Sequence, residues 1–150
     1  MKYFTKEQFD RFYDQAADGL EEARFAEQVA WFREAAVWQA GENAKMPPDA
    51  PLRTLDFCGQ YITGLEKRGR DLIMRVDPGA GPFAAKQIVF VNAATDRLPE
   101  CPPSHLEWFA HEAMYRDGSF HIGILLRRLK ENYASEAMEF ELTADDVYWE

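Results

Sequence analysis

Apolar and polar positions change period once along this chain, and the change divides it. Up to about residue 45 the apolar side chains recur at helical spacing, and from Leu55 onward they alternate or run in short blocks. The first helix is predicted to start at Thr5. Thr5 is a good N-cap, Gln8 three residues on completes a capping box, and Phe4 with Phe9 forms the hydrophobic staple. Phe9, Phe12, Tyr13, Ala16, Ala17 and Leu20 then follow the helical period, with a stop at Asp18-Gly19. A second helix is predicted from about Leu20 to Ala40, ended by Gly41. Its stripe Phe25, Val29, Phe32 and Ala36 has 4-3-4 spacing and is expected to face the core. Trp31 and Trp38, seven apart, lie on another side of the same helix. A sheet covers only one side of a helix, so either the first helix or a second subunit covers these rings. An uncovered aromatic patch would make Trp31 and Trp38 the interface of a homodimer.

Met46 to Pro51 is proline-rich and fits neither helix nor central strand, so residues 46–54 read as a linker. Beyond it the signals are those of strands. Tyr61–Lys67 and Leu72–Asp77 flank a turn at Arg68-Gly69, and Pro78 to Pro82 is a loop by composition. Gln87–Asn92 is apolar on both faces and suits a central strand, and Pro99, Pro102 and Pro103 mark another loop. Trp108 to Leu126 reads as two strands around Asp117-Gly118, because both turn residues tolerate positive φ. Met138, Phe140 and Leu142 alternate with Glu139, Glu141 and Thr143, a strand with one wet face.

Helices segregated from strands predict an α+β fold. The expectation is one domain over residues 1–150, with a helical part at 1–45 and an antiparallel β part at 55–150. Two N-terminal helices would pack on a mostly antiparallel, hairpin-connected sheet of five to seven strands. The expected core is Phe9, Phe25, Phe32, Ile88, Phe90, Ile122, Ile124 and Phe140.

Charge narrows the partners. With 17 basic and 26 acidic residues the net charge is -9, which repels phosphate backbones and anionic lipid. The basic clusters Lys67-Arg68-Gly69-Arg70, at a turn, and Arg127-Arg128-Leu129-Lys130, read as past a strand end, lack the interleaved aromatics of a single-strand binding surface. Nucleic acid is therefore not expected as a partner. No apolar run approaches the roughly 20 residues of a membrane span. The opening residues lack the apolar stretch of a signal peptide, and the only cysteines are Cys58 and Cys101. The expectation is a cytoplasmic protein with free thiols.

Candidate chemistry gathers around three histidines. His105, Glu107, His111 and Glu112 suggest a metal site only if the segment is a helix, and it feeds a hairpin instead. As a strand it places Phe109, His111, Ala113 and Tyr115 on one face and Glu112 on the other. A three-residue loop would put His111 opposite Leu125 and His121 opposite Tyr115, both histidines on one face but about 13 Å apart. That is too far to share one metal. Cys58 has no histidine near it in sequence and reads as a small buried residue. No serine stands in a nucleophile elbow, and no phosphate-binding loop occurs. Asp145-Asp146 reads as a cap or turn.

The opening Met1-Lys2-Tyr3-Phe4-Thr5-Lys6-Glu7 resembles the start shared by an uncharacterised bacterial family, a domain of unknown function. The turn Phe57-Cys58-Gly59, Ile62, Leu72–Val76, the strand Val89–Ala93, Trp108 through the Asp-Gly hairpin, and the ending Phe140–Val147 follow that family's layout. The family often has a His-Asp pair where this chain has Cys58-Gly59. The resemblance implies a small cytoplasmic bacterial protein and supplies no activity, cofactor or catalytic residue.

Together these readings point to a non-enzymatic binding protein without cofactor, with a basic protein as one candidate partner, as acidic immunity proteins take nuclease toxins. The alternative is a small hydrolase or metal-dependent enzyme using His105, His111 or His121.

Overall fold

Seven strands form one antiparallel sheet in a computed structural model that describes residues 1–13, 22–54, 56–77, 85–99, 106–129 and 135–150. Helices α1 (Lys6–Tyr13) and α2 (Glu22–Asn43) precede a short 3-10 turn at Pro51–Thr54. The strands are β1 (Tyr61–Arg68), β2 (Asp71–Val76), β3 (Gln87–Val91), β4 (Leu106–Arg116), β5 (Ser119–Leu129), β6 (Ser135–Ala144) and β7 (Asp146–Trp149). Their order is β6-β5-β4-β1-β2-β3-β7. The α+β class is thus the one expected. Among the described residues no helix is long and apolar enough to cross a membrane.

One connection sets the curvature of the sheet. β6 and β7 stand at opposite ends of the strand order, yet only Asp145 separates them. The two edges must therefore meet. They do so where Ala94 bridges Thr143 and where the Asp145 N–H donates to the Val91 carbonyl at 2.9 Å. Curling satisfies edge groups that a flat sheet would leave open.

The inner face holds a core with Phe57, Ile88, Phe90, Trp108, Ile124 and Phe140, each at most 1% exposed. A second cluster lies on the outer face of β4, β5 and β6. There Phe109, Ala110, Leu125 and Ala137 meet Phe4, Phe9, Phe12, Trp31 and Ala35. A β-bulge between Trp108 and Ala110 makes the switch, since it turns Phe109 and Ala110 together to the outer face while Trp108 stays inside.

Thr5 caps α1 as expected, its Oγ1 accepting the Gln8 N–H at 3.2 Å. The expected stop at Asp18-Gly19 and the residue Leu20 lie outside the described residues. Helix α2 runs through Gly41 to Asn43. Two contacts hold its end to the sheet. The Gln39 side-chain amide exchanges hydrogen bonds with the Ala113 backbone at 2.9 and 2.8 Å, and buried Glu42 pairs with Arg116 at 2.7 Å and Lys45 at 2.9 Å. The hydrogen bond from Lys45, outweighing the effect of burial, lowers the Glu42 pKa, and Arg116 adds to it.

Helix α2 turns a different face inward from the one its 4-3-4 stripe predicts. Trp31 (7% exposed) and Ala35 are buried, whereas Phe25 is 62% exposed and Val29 and Phe32 also reach solvent. Phe25 and Phe32 are therefore not core residues, while the other six expected core residues are buried. The cause is the N-terminal segment. Phe4 and Phe12 pack on the Trp31 ring, and the Trp31 Nε1–H donates to the Tyr3 carbonyl at 2.8 Å. The supposed linker is also more than a linker, since Met46, Ala50 and Leu52 enter the inner core. Arg127 and Arg128 lie within β5, not past its end. Arg127 pairs with Glu107 at 2.5 Å across to β4.

Candidate functional site

The hairpin of β4 and β5 decides where the histidines point. Its loop is Asp117-Gly118 alone, with φ of 52° and 81°, so Arg116 pairs with Ser119. That two-residue turn moves the register by one from the three-residue expectation. His111 lies opposite Ile124, and His121 lies opposite Met114. A one-residue slip transfers a side chain to the other face. His121 therefore shares the outer face with Glu112, and His111 points inward. The two histidines do not share a face, which corrects the expectation. His105 and Cys101 lie outside the described residues.

His111 sits beside Trp108, whose Nε1–H donates to His111 Nδ1 at 3.4 Å, with the rings edge to face. Burial drives its pKa down from 6.5 to about 4, against the opposing pull of Asp56 and Glu112. A depressed histidine pKa stabilises the fold fully above pH 6.5. Between there and about 4 only the unfolded chain takes up the proton, so stability falls with falling pH. At about 1.4 kcal/mol per pH unit, the loss should approach about 3 kcal/mol. Urea unfolding of the protein and of His111→Gln at pH 7 and at about pH 4.5 tests this. An equal fall in the variant would assign the loss to other groups.

Cys58 is exposed rather than buried. Its Sγ–H donates to the Phe109 carbonyl at 2.8 Å. Partial desolvation raises the thiol pKa, and Asp56 and Glu107 push it further up. A nucleophilic cysteine needs the opposite shift.

On the outer face a cleft of about 440 Å³ opens over β5 and β6. The floor carries Met114, His121 and Thr143 in one cross-strand row, and Glu112, Gly123 and Glu141 in the next. The turn Ala94-Thr95-Asp96 forms a wall, tied to β6 by the Thr95 hydroxyl donating to the Glu141 carbonyl at 2.7 Å. Met1 forms another part of the lining, its ammonium on Glu141 Oε1 at 2.5 Å. The hydrogen bond to Glu141 raises the Met1 amine pKa despite desolvation, and the charges of Glu141, Glu112 and Glu139 add to it.

Glu112 is buried and serves the backbone. Its carboxylate accepts the N–H groups of Lys2 at 2.7 Å, Tyr3 at 2.5 Å and Phe4 at 2.6 Å. Such an oxygen is engaged and does not reach for a metal or substrate. Among the described residues no three His, Cys, Asp or Glu side chains are grouped to hold a metal ion. Besides Glu112 and the paired Glu141, the cleft is lined by the His121 imidazole, the Thr143 hydroxyl and the Asp96 carboxylate. Acceptors predominate, so the lining suits a cationic donor.

Of the sequence candidates only His121 and Glu112 meet here. Trp31 is covered within the chain, and Trp38 is half-buried under Tyr3 and Lys2. The interface expected on these two rings is thus not where α2 exposes its apolar side chains. Asp96, Gly123, Glu141 and Thr143 were not anticipated. Gly123 had a legible signal, since a glycine inside an apolar strand marks a close approach.

The fold and cleft define a class: an α+β protein with a curled antiparallel sheet and an acidic cleft on its helix-covered side. Comparisons with protein-family models, with curated proteins and with solved structures find no match to this chain.

Proposed function

We propose that the protein is a non-enzymatic binding protein whose outer cleft takes a basic group of a partner. The observation that carries this reading is the lining of the cleft, where the Glu141 and Asp96 carboxylates stand around His121 and Thr143. The net charge of -9 adds long-range attraction for a cationic surface. A basic protein partner presenting arginine or lysine fits both features.

Calorimetric titration with a short, N-terminally acetylated arginine–glycine peptide tests the reading. Binding is expected at about 0.01 M ionic strength, about tenfold weaker at about 0.15 M. The serine–glycine counterpart should not bind. Asp96→Asn with Glu141→Gln should abolish binding while leaving most of the acidic surface in place. Binding that survives this double change would move the site elsewhere, and no binding at low salt would sink the reading.

A further inference from the structure

Helix α2 is apolar on two sides. One side places Trp31 and Ala35 in the cluster over β4 and β5, while on the other Phe25 is 62% and Val37 71% exposed. Six large hydrophobic residues are exposed among the described residues, and four of them, Phe25, Val29, Phe32 and Val37, lie on this one helix. Phe25, Val29 and Val37 stand on a single i, i+4 row, whose remaining member is Arg33. Such a row forms a ridge on a helix surface. Arg33 is exposed, and among the described residues no ion pair engages it. Exposed apolar groups gathered on one element mark an interface.

The ridge is complementary to itself. Phe25 and Arg33 stand four residues to either side of Val29. Two copies of α2 crossing antiparallel about a two-fold axis at Val29 therefore set each Arg33 against the other copy's Phe25, and Val29 against Val29. We propose that α2 is a self-association surface on which two copies of this chain pair in this register. Each guanidinium then lies over an aromatic ring, an attractive contact made twice per dimer. The two arginines stay about 12 Å apart along the helices, at about 1.5 Å per residue. Ala26, exposed beside Val29, leaves room for the helices to approach. A single helix face offers less than the roughly 1,200 Å² of a stable pair, so the dimer is weak. The net charge of -9 on each copy opposes it. Salt therefore strengthens this dimer, whereas it weakens binding of a basic group in the cleft.

Sedimentation velocity between about 10 and about 500 µM protein, at about 0.5 M salt, tests this. The unaltered protein should pass from monomer to dimer over that range, and the dimer fraction should fall at about 0.05 M salt. Phe25→Ala and Arg33→Glu should each raise the dissociation constant about tenfold or more, since each removes two contacts per dimer. Both side chains are exposed, and circular dichroism of the variants checks that the fold is kept. Spin labels read the register, in a background with Cys58 and Cys101 replaced by serine. Labels on Val29→Cys should lie much closer across the dimer than labels on Val37→Cys, whose two positions are about 24 Å apart along antiparallel helices. A protein that stays monomeric at about 500 µM, a dimer that either Phe25→Ala or Arg33→Glu leaves intact, or equal label distances at the two positions overturns the proposal.

Discussion

Glu112→Ala should destabilise the protein by about 3–5 kcal/mol. The loss follows from three backbone donors that converge on one buried carboxylate. A hydrogen bond to a charged group contributes about 1.5–3 kcal/mol. The total stays below three times that, because the Lys2 and Tyr3 amides are only part-buried and regain water in the variant. The Phe4 amide is buried and has no such recourse. Denaturant unfolding measures the loss, and hydrogen exchange locates it, with the amides of residues 2–4 exchanging fastest in the variant. Glu112→Gln keeps one acceptor oxygen and turns an N–H toward donors, so it should cost about half as much. A loss below about 1 kcal/mol for Glu112→Ala would mean that the segment docks by its aromatic side chains alone.

This residue also shows how sequence and structure divide the information. Glu112 stands out in the sequence for its neighbours His105, Glu107 and His111, which suggest metal chemistry. Its partners in the fold lie more than 100 residues away and are backbone amides, which carry no residue-type signature. The strands were legible because their signals are local. Asp117-Gly118 fixes a turn by its own φ angles, and Phe140 with Leu142 declares a face by alternation. The register was not legible, because it turns on whether the loop has two residues or three. That single count moved His121 to the face of Glu112 and created the cleft. Closure of the sheet was hidden too: the step from β6 to β7 through Asp145 looks in sequence like a turn between acidic residues. What it does, joining opposite edges, appears only in three dimensions.

The second large expected effect separates the true core from the face that the helical stripe suggested. Phe90→Ala and Trp31→Ala should each cost about 3–5 kcal/mol, the usual range for emptying an enclosed aromatic site. Phe90 is fully buried on β3, between β2 and β7. Trp31 is buried between Phe4 and Phe12 and loses a hydrogen bond to the Tyr3 carbonyl as well. Phe25→Ala, on the 4-3-4 stripe of the same helix, should fall within about 0.5 kcal/mol of the unaltered protein, as surface changes do. The stripe has good helical spacing, but spacing alone does not say which side of a helix meets its neighbours. The side is chosen by what else covers the sheet. Here residues 1–13 reach the outer face of β4 and β5, held by Glu112, and present Phe4 and Phe12 to α2. The wide indole of Trp31 fills the space they leave, and Phe25 and Val29 rotate toward solvent. Urea unfolding of the three variants decides the matter. A loss of more than about 2 kcal/mol for Phe25→Ala, with little loss for Trp31→Ala, would mean that α2 is turned so that its stripe faces the sheet.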